Sequence, residues 1–332
     1  MSSDAGSQPK LPGNAGAVSD THRMDTSRIW RAPVLFAVLH LALPIGLAAQ
    51  DVQPRVYTPA PVGVNAITLN YAFSTGGLLF DKTVPVENVD GDVHSFSPAY
   101  SRTLGVFGLS ARADIAAPFV IGEWTGDVAG DVDVRGPTTA SRTGFGDPVA
   151  RFALFLIGAP ARSPEEFVKS RTRTVMGATV RVRVPLGQYD AGRLINLGSN
   201  RWAFSPQVGV SHIAAGRLLL EAYAASWFFT DNTALLGTNT FSQNPLVVFQ
   251  VHAAYLFPRG LWLAISSRQS LGGTTSVNGG EDVNPESNNR IGLTFGLPLG
   301  TRHSLRFVAT TGATSTVGND YDTFSVSWSG AF

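Results

Sequence analysis

The sequence predicts an all-β fold, an antiparallel transmembrane up-and-down β-barrel of about 12 strands and of the outer-membrane type. Three observations predict it. First, the chain ends on residues that alternate in character. Phe324, Val326, Trp328, Gly330 and Phe332 share one side, and Thr323, Ser325, Ser327, Ser329 and Ala331 the other. A period of two with large apolar groups on one face is how a half-buried strand reads. A barrel-closing strand that stops on an aromatic such as Phe332 also carries the signal by which barrels are assembled. Second, charged residues make up only 15% of the chain and glycines number 35, yet mean hydropathy is just +0.09. A barrel averages out in this way because each lipid-facing residue alternates with a lumen-facing one. Third, the strand-like segments run about 11–15 residues, beyond the roughly 5–6 usual in soluble sheets and enough to cross a bilayer when tilted.

From the N-terminus, residues 1–23 are polar and without periodicity, and read as a disordered extension or as sequence upstream of a true start at Met24. Residues 24–50 carry Arg28 and Arg31, a short apolar run from Val34 and small residues before Gln50, the layout of a cleaved secretory signal peptide. Pro44 and Gly46 interrupt that run too early for a transmembrane helix, which needs about 20 residues. Residues 51–63 are expected as a periplasmic lead-in and 64–332 as the barrel.

Twelve strands are expected at 64–75, 92–104, 107–122, 143–158, 172–187, 200–213, 216–230, 244–257, 260–272, 287–297, 302–314 and 321–332. Connections after odd strands are long and those after even strands mostly tight, which puts the tight turns and both termini on the periplasmic side. The connection 158–171 departs from this rule. There Ser163, Pro164, Glu165 and Glu166 are an N-cap, a first-turn proline and first-turn acids, so a short helix is expected.

Alternation assigns faces. Leu109, Ala111, Ala113 and Ile115 point to lipid, leaving Arg112 and Asp114 inside; Phe152 and Leu154 point out and Arg151 in. Met176, Ala178, Val180 and Val182 turn Arg173, Arg181 and Arg183 inward. By the same rule Glu221, Tyr223, His252, Arg268, Arg290 and Arg306 line the lumen. A cationic side chain on the lipid face costs about 2–4 kcal/mol at the midplane, so this inward bias is what a membrane selects. A soluble barrel would show the reverse. The arginines admit two roles: focusing field on anionic solutes, or pairing with Asp114, Glu221 and loop acids to brace a narrow barrel. A constriction lined by Arg181, Arg183 and Arg306 is the expectation for anion selectivity, and an apolar gap for phenolic solutes.

A formal charge of +1 and the lack of a Lys/Arg run give no case for nucleic acid. With no cysteine, thiolate metal sites and a thiol nucleophile are excluded. His252 and His303 sit singly, so no catalytic constellation is expected, although a lipid hydrolase or an adhesive surface protein would share this architecture. Asp90 with Asp92, and Asp127, Asp131 and Asp133, read as solvated loop acids because neither run follows a calcium-loop pattern. No cofactor and no metal are expected. The expected partners are outer-membrane lipids, small-molecule solutes and, through Phe332, the barrel assembly machinery.

Two strings carry a family resemblance. Thr143-Gly144-Phe145-Gly146-Asp147-Pro148 holds a G-x-G-D signature. Val184-Pro185-Leu186-Gly187-Gln188-Tyr189-Asp190 is followed by Arg193 to Trp202 with Gly198-Ser199-Asn200 inside it. Over residues 59–332 the chain resembles the outer-membrane transporter family named for a meta-pathway of phenol degradation. The resemblance implies a barrel that takes up hydrophobic or aromatic compounds, and it carries no catalytic residue over. The expectation is an outer-membrane channel or transporter for passive uptake of small molecules, aromatic compounds or organic anions among them.

Overall fold

The structure, a computed structural model, describes residues 52–79, 86–128, 138–170, 172–316 and 318–332. The expected extension and signal peptide lie outside the described residues, as do Asp131 and Asp133. Alternating sequence becomes strand almost throughout: β1 (Asn65–Leu79), β2 (Val86–Val106), β3 (Leu109–Ala116), β4 (Phe119–Val128), β5 (Thr138–Phe145), β6 (Val149–Ile157), β7 (Thr174–Arg183), β8 (Ala203–Ala214) and β9 (Leu218–Phe229). After them come β10 (Asn232–Leu235), β11 (Asn239–Gln243), β12 (Leu246–Leu256), β13 (Trp262–Gly272), β14 (Thr275–Val277), β15 (Glu286–Leu299), β16 (His303–Thr314) and β17 (Gly318–Ala331).

Fourteen of these form one antiparallel sheet in which β1 pairs with both β17 and β2, so the sheet closes. The closing register runs Ile67↔Gly330 to Phe73↔Phe324, as the terminal alternation requires. β3 with β4, and β5 with β6, are single staves interrupted at Pro118 and at Gly146-Asp147-Pro148, which leaves twelve staves around the barrel. Proline has no N–H to give a ladder, which fits the breaks at Pro118 and Pro148, although β2, β8 and β15 carry Pro98, Pro206 and Pro298 within them. Above its break β5 pairs only with β4. The next stave, β7, has already ended at Arg183, and loop residues 184–202 lie along the β5 edge instead, with Gln188 N donating to Phe145 O at 2.8 Å.

Outside, the barrel shows Ile67, Leu69, Ile115, Val180, Val208, Val251, Ile265 and Leu293, all more than 40% exposed. In water such a surface would be an aggregation hazard; in a bilayer it is the solvated one. Among the described residues no helix is long and apolar enough to cross a membrane, which leaves crossing by strands untouched. The expected periplasmic helix is α1 (Pro164–Val168), closed by a capping box: Glu166 N donates to Ser163 Oγ at 3.3 Å and Ser163 N to Glu166 Oε2 at 3.0 Å.

The first two long connections are shorter than their polarity implied. The β1–β2 ladder continues to Leu78↔Val89, and the β4–β5 ladder to Gly126↔Thr138. These hairpins rise above the apolar belt, where outward residues pair as polar groups, Thr125 with Thr139 at 3.1 Å and Ser141 with Glu123 at 3.4 Å. Polarity therefore marks the edge of the membrane, and not the end of the strand. β10, β11 and β14 form a second small sheet on the same rim.

Candidate functional site

The inner face of the barrel is the candidate site, and it is crowded. Arg112, Asp114, Arg151, Arg181, Glu221, Tyr223, His252, Arg268, Arg290 and Arg306 are all buried on the inward parity of their strands. Arg183 shares that parity and is half-buried at the end of β7. Arg173 is the exception. It precedes the first residue of β7 and lies exposed at the periplasmic rim, because the alternation that assigned it inward extends one residue past the strand.

Two arginines are braced by one acid. Arg151 Nε donates to Asp114 Oδ2 at 2.7 Å and Arg112 Nε to the same oxygen at 3.3 Å, with all three side chains nearly devoid of exposure. Register explains the meeting: Asp114 and Arg151 are direct partners across the β3–β6 ladder, and Arg112 lies two residues from Asp114 on the same face. Arg290 reaches Thr310 Oγ1 at 3.3 Å and the Tyr321 carbonyl, and Arg268 donates to Ser270 Oγ at 3.3 Å.

What strand alternation could not reveal is the occupant of this space. The segment expected as a periplasmic lead-in enters the barrel. Gln53 N donates to Gln250 Oε1 on β12 (3.2 Å), Arg55 N to Glu221 Oε2 (2.6 Å) and Val56 N to Tyr223 Oη (3.2 Å), both on β9. Val56 O accepts from Arg112 Nη2 at 3.4 Å. Tyr57 is fully buried, edge-on to Tyr223 (5.2 Å) and Phe155 (6.3 Å), and its hydroxyl is met by Thr179 and Gln207 at 3.2 and 3.3 Å. Val52 packs beside Gly292 on β15. Residues 52–57 thus span from the β15 wall to the β6–β8 wall, a strut across the lumen.

Glycine makes its socket. A Cβ at Gly177 would lie 2.5 Å from Tyr57 Cδ1, and one at Gly209 would lie 2.3 Å from Tyr57 Cε2. Only residues without a side chain admit the ring there. Below the strut, Val62 N donates to Arg162 O at 2.9 Å and Thr103 Oγ1 to Pro61 O at 2.6 Å, which ties the segment to the periplasmic rim before β1 begins. Arg55 lies over the Trp262 ring at 5.1 Å, and Arg306 shares with it a cavity of about 20 Å3 near that rim. Arg306 is therefore far along the barrel from Arg181 and Arg183, and the three do not form one constriction.

At the opposite end, Trp227 is buried against Ala203, Ala225, Leu246 and Val248. Arg181 and Arg183 lie over its ring at 5.1 and 5.4 Å. Another buried cluster near this end, Val89, Val93, Val120, Trp124 and Tyr321, takes in Ile195 and Leu197 from the loop. It is apolar where the arginine side is cationic. Trp124 Nε1 donates to Tyr321 Oη at 2.8 Å, and the indole lies over Gly91 and Gly122.

The two strings singled out in the sequence meet at the break in the β5–β6 stave. Asp147 Oδ1 accepts from Gly187 N (2.9 Å), while its Oδ2 accepts from Ser199 N (2.8 Å) and Ser199 Oγ (2.5 Å). Gly187 and Gly198 are the close approaches: a Cβ on the first would lie 2.8 Å from Asp147 Oδ1, and one on the second 2.6 Å from Gly187 O. The G-x-G-D string is therefore a clip that seats residues 184–202 against the wall.

Comparisons with known proteins agree with this geometry. The family described as "Putative MetA-pathway of phenol degradation" matches residues 80–329. Among solved structures, an outer membrane channel from Pseudomonas putida F1 superposes with a TM-score of 0.68 at 18% identity, over 85% of this chain and 100% of that one. The beta domain of the Bordetella autotransporter BrkA follows with a TM-score of 0.47 at 12% identity, over 81% of this chain and 99% of the other. No curated protein matches. At 18% identity the superposition on the Pseudomonas channel speaks for the barrel fold alone.

Proposed function

The chain belongs to the MetA-pathway of phenol degradation family, and on that premise we propose that it is an outer-membrane channel for small molecules whose conductance is governed by its own N-terminal strut. The observation that carries this reading is the combination of a polar lumen with a non-covalent occupant. Residues 52–57 are held by hydrogen bonds to Gln250, Glu221 and Tyr223 and by one aromatic ring in a glycine socket. Contacts of that kind can be exchanged for water, so the path can be cleared without unfolding the barrel. Uptake through such a channel is passive, driven by the solute's own gradient. The family description supports aromatic compounds as the solutes, and the apolar cluster around Trp124 supplies surface for them.

A non-enzymatic role fits the lumen chemistry. His252 Nδ1 lies 2.8 Å from Ser266 Oγ and Glu221 is the cross-strand partner of His252, but all three residues are buried, and Glu221 Oε2 is taken by the Arg55 N–H. His303 stacks on Trp328 at the periplasmic rim. The test is conductance in planar bilayers and solute-dependent swelling of liposomes, using refolded protein with and without residues 52–58. Ion conductance that rises on removal of the strut is expected. Silence of both forms in both assays would sink the proposal.

A further inference from the structure

Arginines along this lumen are treated differently. Arg112 and Arg151 share Asp114, and the backbone N–H of Arg55 bonds Glu221. Toward the extracellular rim Arg183 and Arg201 have no carboxylate within 4.0 Å among the described residues. Asp147 and Asp231 act on Arg201 only from a distance, and both oxygens of Asp147 are already taken by Gly187 and Ser199. Arg183 Nε and Arg201 Nη1 are buried without a hydrogen-bond partner. Arg201 does bond Gln243 Oε1 through Nη2, at 2.5 Å.

The frame around these two groups is aromatic. Arg201 lies over the rings of both Phe229 (4.5 Å) and Phe241 (4.9 Å), and Arg183 lies over Trp227 with Arg181 beside it. Ring faces attract a guanidinium and leave its N–H edge free for an acceptor. Burial and the neighbouring Arg183 pull Arg201 down to about 10, so it is charged at neutral pH. Two cations with unfilled donors, each set over aromatic rings, favour an anion that completes them.

We propose that Arg183 and Arg201, on the bed of Trp227, Phe229 and Phe241, bind the carboxylate of a small aromatic acid at the extracellular end of the lumen. The proposal rests on the channel reading for its purpose, since a solute must be captured at this end before it can pass. The site itself is tested by binding, which does not require passage. Phe229 and Phe241 are only partly buried, so the apolar body of the acid has ring surface to meet while its charge stays with the arginines.

The experiment is calorimetric titration of the refolded mature protein with benzoate, benzyl alcohol and acetate at fixed ionic strength. Benzoate is expected to bind about ten-fold or more tightly than either probe, since one lacks the charge and the other the ring. Arg183→Gln and Arg201→Gln should each weaken benzoate by about ten-fold while leaving benzyl alcohol unchanged. Equal affinity for benzoate and benzyl alcohol, or unchanged benzoate affinity in both variants, overturns the proposal. Should Arg201→Gln fail to fold, the three probes on the unaltered protein and Arg183→Gln still decide it. Ion conductance measured on the same preparation separates the two readings. Conductance without benzoate binding removes this site alone, whereas binding without conductance or swelling removes the channel and leaves the site.

Discussion

Tyr57→Ala is the perturbation that most directly tests the strut. The ring is fully buried, makes two edge-on aromatic contacts and holds the hydroxyl hydrogen bonds to β7 and β8. Truncating a buried aromatic costs about 3–5 kcal/mol. At about 1.4 kcal/mol per decade, the ratio of seated to released strut should fall by roughly a hundred-fold to a few thousand-fold. Almost none of that cost falls on the barrel, whose ladders do not include Tyr57. Gly209→Ala attacks the same contact from the wall, because its Cβ would stand 2.3 Å from Tyr57 Cε2 and 2.5 Å from Tyr223 Cδ1. Alanine is acceptable to a strand, so this variant should still fold. In planar bilayers both variants should open far more often than the unaltered protein and reach a larger conductance. If both variants fold, as judged by heat-modifiable gel migration, and their current traces match the parent, the strut does not govern the path.

Three other outcomes are expected. Asp114→Asn leaves Arg112 and Arg151 buried with no opposing charge, so unfolding of the barrel in urea should show a loss of about 3–5 kcal/mol. Asp147→Ala removes three hydrogen bonds to a carboxylate, each worth about 1.5–3 kcal/mol before relaxation, and amide exchange over residues 186–199 should accelerate while the strands stay protected. Phe332→Ala should refold into liposomes as the parent does, because the ring is 64% exposed and its backbone bonds to Asn65 remain. In cells the same variant should reach the outer membrane in smaller amounts, which membrane fractionation measures.

The barrel was legible because lipid imposes one rule on every stave. Where Met176, Val180 and Val182 must meet acyl chains, Arg181 and Arg183 have one other place to go, and the period of two records it. The same rule failed at its ends. Thr125 opposite Thr139 and Ser141 opposite Glu123 are outward strand pairs above the apolar belt, so a reader of polarity stops each strand too soon. Arg173 was misassigned for the converse reason, since its parity continues past the first residue of β7.

The strut was not legible, and the cause is physical. Residues 52–57 form no repeating pattern, because their partners lie on β3, β6, β7, β8, β9, β12, β13 and β15, at heights and angles that no linear period encodes. A tyrosine ahead of β1 is unremarkable until Gly177 and Gly209 are known to face it. Those two glycines were the available signal. Each sits at an inward position of a strand otherwise filled by Thr179, Arg181 and Gln207, and an inward glycine between larger residues implies that something else enters. Applied to the rest of the lumen, the same inference picks out Gly91 and Gly122, where Trp124 lies, and Gly292, where Val52 lies. Inward glycines in this barrel therefore record its occupants, and a side chain placed at any of them should displace the group now seated there.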